Sequence, residues 1–333
     1  MLKISRLTVE HLAEGCVTDR PDPEVSFRLM SDRKNVTLKQ ARISVNGWSV
    51  KTDSQILIPY RGNKLQPFTE YQVRVEAEDN TGEKAQAETV FETGRMETPW
   101  KAEWITDGEY SFTDKKVSPV PMMFRKKFKC IKKVKEAKIY ASALGIYELI
   151  VNGKKAGDRY FAPGFTSYRH EMQYQVYDVT DMLSGDNTLT AVVSGGWAVG
   201  SFVFTRVNRH DADRQAFLAE LRITYEDGMQ EVIGTDDSWE VTEDGPYRMA
   251  DIYDGETYDA SVDVEKIPWR KAAPEKLRFV PDLRADYSSP VRAHEEMHPV
   301  ARTKLEDGTL IYEFGQNSAG VIKLKIQGKK GQV

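Results

Sequence analysis

The sequence predicts an all-β protein built from tandem β-sandwiches, and three observations carry that expectation. Apolar and polar residues alternate with period two along most of the chain, whereas amphipathic helical spacing is scarce. The pairs Asn46-Gly47 and Asn152-Gly153 each lie between alternating runs, a strong hairpin signal because both residue types tolerate positive φ. The 333 residues exceed the roughly 250–300 that one core sustains, so two or three domains are expected.

Lys plus Arg number 47 and Asp plus Glu 51, a formal charge of −4, which argues against nucleic acid or an anionic membrane as the main partner. Apolar residues make up 40% and charged ones 29%, the balance of a folded rather than a disordered chain. No run approaches the roughly 18 apolar residues that a membrane span needs. The opening MLKISRLTVEHLAEG alternates, so no signal peptide is visible. Cys16 and Cys130 are the only cysteines, which excludes a disulfide framework and a cysteine-rich zinc module. The cytoplasm is the expected compartment.

The first domain is expected over residues 1–95. Ala41, Ile43 and Val45 alternate into the Asn46-Gly47 turn, followed by Trp48 and Val50. Tyr71, Val73, Val75 and Ala77 alternate with charged residues, as a half-buried antiparallel strand requires. Asp79-Asn-Thr-Gly82 then turns into a strand ending at Phe91. Strands at this spacing indicate a small sandwich. The stretch from Leu65 through Pro67, Thr69 and Tyr71 to Val75 resembles the fibronectin type III pattern around its tyrosine corner, which implies a spacer or packing module. Residues 96–104, with Pro99, Trp100 and Trp104, read as a connector docked by aromatics.

The second domain is expected over residues 96–270. Ala137, Ile139 and Ala141 alternate, and Tyr147, Leu149 and Val151 run into the second Asn-Gly turn. Further strands run from Leu189 to Val193 and from Phe217 to Tyr225, while Trp239 and Val241 share a face. The VNG hairpin followed by DVTDMLSGDN resembles the galactose-binding-like jelly roll attached to many glycoside hydrolases. Residues 271–333 add strand patterns at Tyr312 and Phe314 and from Val321 to Ile326, then the turn-like tail GKKGQV. They are too few to close another sandwich and read as an incomplete β-domain.

His294-Glu295-Glu296-Met297-His298 matches the zinc-peptidase pattern HExxH, which works only on a helix that brings both imidazoles to one face. Pro299 biases His298 away from helical backbone and the surroundings read as strand, so a surface strand carrying two histidines is favoured and no metal is expected. Gly195-Gly196-Trp197-Ala-Val-Gly200 lacks phosphate-loop spacing. Trp197 reads equally as a ring presented to a sugar face or as a buried core residue. Asp251-Ile-Tyr253-Asp254-Gly-Glu256-Thr-Tyr258-Asp259 holds four carboxylates and two tyrosines. Such a mixture suits sugar hydroxyls and C–H faces, and equally a solvated strand edge. The candidate substrate-binding residues are therefore Trp197, Tyr253, Asp254, Glu256 and Asp259. Composition and spacing reveal no catalytic residue and no cofactor.

The ordered series MMFRKKF, ASALGIYELIVNGKKAGD, PGFTSY, YDVTDMLSGDN, GGW, TDDSW, DIYDGETYDA, YSSPVR and EFGQNSAG resembles bacterial α-L-rhamnosidases over essentially the whole chain. Glu313 departs from the Asp usual before FGQN. The resemblance implies hydrolysis of terminal α-L-rhamnosyl residues with inversion, by an acid and a base carboxyl group roughly 6.5–9.5 Å apart. In that family both lie in a helical (α/α)₆ barrel C-terminal to these motifs, so no catalytic position is assigned here. The implied partners are rhamnose-containing glycosides and the chain's own catalytic domain. The rival readings are a free-standing carbohydrate-binding or adhesive protein and, remotely, the zinc peptidase.

Overall fold

A computed structural model describes residues 1–110, 117–202, 207–325 and 327–328. Among them strands dominate, as tandem β-sandwiches require, and the only α-helix is the single turn Gly196–Val199. No helix of the described residues is long and apolar enough to cross a membrane. The chain forms two compact units, Met1–Val291 and Arg292–Val333.

The first unit opens with a sandwich of two sheets. Three strands, Lys3–Val9, Glu24–Met30 and Ile58–Pro59, face five, ordered Cys16–Thr18, Lys84–Thr93, Glu70–Asp79, Leu38–Val45 and Trp48–Thr52. Strand Glu70–Asp79 buries every second residue, so Tyr71, Val73, Val75 and Ala77 join one core with Val25, Phe27 and Ile43. Positive φ at Asn46 (37°) and Gly47 (90°) closes the expected hairpin. The Tyr71 hydroxyl accepts the Gln66 N–H at 2.8 Å, the tyrosine-corner bond that ties a sandwich strand to the chain just before it. At the next turn burial works against the Asp79 carboxylate. Hydrogen bonds from the Thr81 hydroxyl and the Thr81 and Glu83 N–H groups, with the Arg33 charge, outweigh it and hold the group down at about 2.

The second sandwich has a six-stranded sheet ordered Lys154–Lys155, Ile146–Val151, Asp186–Ser194, Met122–Lys129, Glu240–Thr242 and Arg270–Lys271. Its seven-stranded partner runs Ala273–Pro274, Ile105–Thr106, Ala216–Tyr225, Val134–Leu144, Glu171–Asp178 and Asp282–Ala285, with Gln230–Gly234 beside Ala216–Tyr225. The edge strand Asp282–Ala285 lies parallel to Glu171–Asp178, and Ala273–Pro274 pairs with Ile105–Thr106, so these strands, expected in the incomplete third domain, belong to this sandwich instead. Phe124, Ile139, Leu149, Val193, Phe217 and Trp239 fill the space between the sheets. Asn152 (φ 51°) and Gly153 (φ 78°) form the second expected hairpin turn.

Polar side chains lock the two sandwiches together. The Asp19 carboxylate accepts the Tyr174 hydroxyl at 2.8 Å, the Met96 N–H at 2.6 Å and the Ala285 N–H at 2.7 Å. Burial, and then the Asp19 charge, push the Tyr174 hydroxyl far above the ordinary tyrosine range, which keeps it a donor. Buried Arg95 lies 3.9 Å over the Trp100 ring, donates to the Pro99 carbonyl at 2.7 Å and stands 3.0 Å from Glu220. The connector is thus docked by an aromatic ring, as its composition suggests.

Within the second sandwich, a buried Glu243 oxygen has no hydrogen-bond partner among the described residues. Burial, then the Asp107 charge, push this carboxyl up to about 7 against the pull of Arg270. A folded-state value above the ordinary 4.5 means a contribution intact below pH 4.5 and lost as pH rises through about 7. Glu243→Gln is expected to raise the melting temperature above pH 7 and to leave it unchanged below pH 4.5. An equal shift in acid and at neutral pH would refute that assignment.

Among its described residues the second unit, considered by itself, contains a hairpin, Ala301–Lys304 paired with Leu310–Glu313. Tyr312 lies in its second strand, and Phe314 just after it. Residues 321–325 form no strand, contrary to the alternation there, while Ile326 and the tail at 329–333 fall outside the described residues.

Candidate functional site

The candidate residues gather around the loop that follows strand Asp186–Ser194. Two glycines let this loop fold back on itself. Gly196 has φ +52° and its missing Cβ would lie 2.6 Å from the Ile146 nitrogen, so a side chain there is excluded twice over. At Gly200 a Cβ would lie 2.7 Å from Asp251 Oδ2, so its absence lets that carboxylate approach the backbone. Between them the single turn Gly196–Val199 carries Trp197.

Trp197 is half-buried. It packs against the cluster of Leu144, Tyr168, Met172 and Ala216, and its ring centroid lies 6.1 Å from Phe161 and 6.0 Å from Phe165. Phe165 in turn stacks on Phe202 at 5.8 Å. Phe161 and Phe165 are 43% and 59% exposed, so the rings form an open aromatic surface. Trp197 therefore packs inward and also borders that surface.

Strands Tyr247–Asp251 and Gly255–Tyr258 form a hairpin that holds the acidic stretch. Asp251 is buried and acts as its anchor. Its Oδ2 accepts the Ser201 N–H at 2.8 Å and its Oδ1 the Tyr253 N–H at 2.8 Å. The single Ser118 hydroxyl proton serves either Asp251 Oδ2 at 2.9 Å or Asp254 Oδ2 at 3.1 Å, and the Ser201 hydroxyl donates to Asp254 Oδ2 at 2.9 Å. Asp254 is therefore tied to the Trp197 loop through Ser201.

The remaining candidates differ in what they leave open. Tyr253 and Glu256 are exposed, and the Glu256 side chain makes no hydrogen bond or ion pair among the described residues. Asp259 is also exposed, but its Oδ1 already accepts the Ser261 hydroxyl at 2.6 Å and the Ser261 N–H at 2.9 Å. The hydrogen bond from the Ser261 hydroxyl is the largest cause of the lowering of this carboxyl below its ordinary value. Residue patterns did not single out Phe161, Phe165, Phe202, Ser118 or Ser201, and they placed Asp251 in the acidic stretch without revealing its role as the buried anchor. The PGFTSY motif carried the only signal for Phe165.

The HEEMH segment has irregular backbone at residues 294–298, neither the helix of a zinc peptidase nor the surface strand expected in its place. Without a helix the zinc-peptidase geometry is absent, and Glu296 pairs with Lys323 at 3.0 Å. No group of three or more metal-ligating side chains occurs among the described residues.

A jelly roll preceded by a small sandwich defines a class of accessory β-domains. Residues 132–304 match the family described as alpha-L-rhamnosidase N-terminal domain, and residues 4–97 the Rha78A-like, N-terminal immunoglobulin domain. The chain belongs to the α-L-rhamnosidase family and carries its N-terminal domains. An α-L-rhamnosidase of Alteromonas sp. (strain LOR) is 31% identical over 303 residues, which cover 85% of this chain and 32% of that protein. The crystal structure of an Aspergillus terreus rhamnosidase superposes with a TM-score of 0.82 at 27% identity, covering 95% of this chain and 39% of that one. A Dictyoglumus thermophilum α-L-rhamnosidase gives 0.81 at 28% identity, covering 94% and 38%. The chain spans 20–34% of the length of the rhamnosidase sequences it matches.

Proposed function

We propose that these residues are the N-terminal part of a glycoside hydrolase that removes terminal α-L-rhamnosyl groups with inversion. The observation that carries this reading is the match of residues 132–304 to the rhamnosidase N-terminal domain. Inversion needs two carboxyl groups separated widely enough to admit water. In this proposal a downstream catalytic domain supplies both, and the substrates are rhamnose-containing glycosides. Residues 1–95 and 96–270 are the two accessory modules, the second also taking in the edge strands Ala273–Pro274 and Asp282–Ala285, and the rest of 271–333 leads toward that domain. Exposed Ile311, Tyr312 and Phe314 support its docking on the hairpin of the second unit. Two free thiols support a cytoplasmic location.

Trp197, Tyr253, Asp254, Glu256 and Asp259 are proposed to border the substrate. Trp197 and Tyr253 would cover apolar sugar faces. Glu256 would accept hydroxyl hydrogen bonds, while Asp254 and Asp259, already bonded, would hold the hairpin in position. The test compares aryl α-L-rhamnoside hydrolysis by residues 1–333 with that by the protein extended past Val333. The expected result is no turnover by the former and turnover by the latter, with Trp197→Ala and Glu256→Ala each lowering kcat/KM by roughly tenfold. Hydrolysis by residues 1–333 alone, or no hydrolysis by the extended protein, would overturn the proposal. Unchanged kinetics in both variants would remove their substrate role.

A further inference from the structure

An Asn-Gly turn closes a hairpin in each sandwich, with Asn46 at φ 37° and Asn152 at φ 51°. The pair carries its own reaction, because glycine has no side chain to hinder attack by its nitrogen. That nitrogen bonds to the asparagine Cγ and the Cγ–Nδ2 bond breaks. The carboxamide nitrogen leaves as ammonia, with the proton that the glycine nitrogen gives up. Water then adds across one of two C–N bonds of the resulting succinimide ring. Opening at Cγ yields aspartate, and opening at the main-chain carbonyl yields isoaspartate, whose main chain is one methylene longer. Both asparagines and both glycines are exposed, and a Cβ at either glycine would meet nothing within 4 Å. Each turn therefore has room for the ring and for water. Both lead into edge strands, Trp48–Thr52 and Lys154–Lys155, so fraying of the edge does not distinguish them.

What distinguishes them is how each carboxamide is held. The Asn152 Nδ2 donates to the Met182 carbonyl at 2.8 Å and to Asn187 Oδ1 at 2.9 Å, and its Oδ1 accepts the Thr188 N–H at 2.9 Å. Both amide hydrogens are thereby committed. The Asn46 Oδ1 accepts the Gln72 N–H at 3.1 Å, and its Nδ2 donates to no group among the described residues. The carboxamide must swing toward the glycine nitrogen before the ring closes, so these bonds break first. Asn46 gives up one and Asn152 three. We propose that Asn46 is a site of spontaneous deamidation, with water as the only co-reactant, and that Asn152 is protected from it by its hydrogen bonds. The isoaspartyl product lengthens a two-residue turn, so Val45 and Trp48 no longer stand opposite each other in register. It thereby loosens strand Trp48–Thr52, whose Trp48 ring lies 5.0 Å from that of Tyr60.

The experiment incubates residues 1–333 in mildly alkaline buffer, folded and in concentrated urea, and follows both asparagines by peptide mapping with mass spectrometry. Isoaspartate is counted by enzymatic methylation. In the folded chain Asn46 is expected to convert to aspartate and isoaspartate, with Asn152 slower by at least roughly tenfold, as two further hydrogen bonds of ordinary net strength require. In urea the two should convert at similar rates, because the bonds that distinguish them are gone. The isoaspartyl form, separated by ion exchange, should melt below the wild type, whereas Asn46→Asp, with an ordinary main chain, should melt close to it. Several results would overturn the proposal: no conversion at Asn46 in the folded chain while the unfolded chain reacts, Asn152 converting as fast as Asn46, or a difference that persists in urea. Equal melting of the isoaspartyl form and Asn46→Asp would refute the lengthened turn as the source of the loosening.

Discussion

Replacing Glu220 by alanine is expected to lower the unfolding free energy by about 3–5 kcal/mol, the usual cost of breaking a buried ion pair from one side. Its side chain is fully buried and does three things at once. It stands 3.0 Å from the Arg95 guanidinium, accepts the Lys101 N–H at 2.7 Å and accepts Arg222 at 2.6 Å. Burial alone would raise this carboxyl, but Arg95, Lys101 and Arg222 together hold it below its ordinary value. The alanine variant strands a buried guanidinium against the Trp100 ring. Because the folded-state pKa is depressed, the contribution is present above the ordinary carboxylate range and is lost as pH falls through the folded value. Urea unfolding at neutral pH gives the magnitude, and the gap between variant and wild type should narrow in acid. A loss below about 1 kcal/mol would place the pair among weak surface bridges.

Trp239→Ala is expected to cost a similar amount, about 3–5 kcal/mol, for a different reason. Trp239 is almost fully buried between the sheets of the second sandwich, with its ring 5.9 Å from Phe217. Its indole N–H also donates to the Gly234 carbonyl at 2.9 Å. Truncation therefore opens a large cavity and leaves that carbonyl without its partner. Trp239→Phe loses the hydrogen bond but keeps much of the ring volume, so it should fall between wild type and alanine. Equal melting temperatures for Trp239→Phe and Trp239→Ala would show that packing contributes nothing beyond the hydrogen bond.

What could be read from the sequence follows how local each signal is. Alternation at Tyr71, Val73, Val75 and Ala77 records one buried face directly, and the Asn-Gly turns record backbone sign, so strands and hairpins were legible residue by residue. The aromatic surface was not. Phe161, Phe165 and Phe202 lie in loops without periodicity and meet Trp197 only through tertiary packing. The anchoring of Asp254 was hidden for the same reason, since its partners Ser118 and Ser201 lie 136 and 53 residues away in sequence. Strand Asp282–Ala285 is four residues long and pairs in parallel, too short for a periodic pattern. Ile322 and Leu324 alternate with lysines, yet both are strongly exposed and no neighbour pairs with their backbone among the described residues. Apolar alternation becomes a strand only where a partner strand exists.

The Asp19 node has a consequence for how the chain is made. Its bond to the Ala285 N–H joins residues 266 apart in sequence. At a synthesis rate of roughly 5–20 residues per second, these 266 residues take roughly 13–53 s to follow Asp19 out of the ribosome. The first sandwich holds all its own strands by residue 93 and can close its sheets long before then. Its Asp19 carboxylate stays hydrated through that interval, exchanging water for the Met96 N–H, then the Tyr174 hydroxyl and last the Ala285 N–H, in the order in which they are synthesised. The seam between the sandwiches therefore matures in stages on a growing chain, and its final stitch is set by translation speed rather than by folding speed.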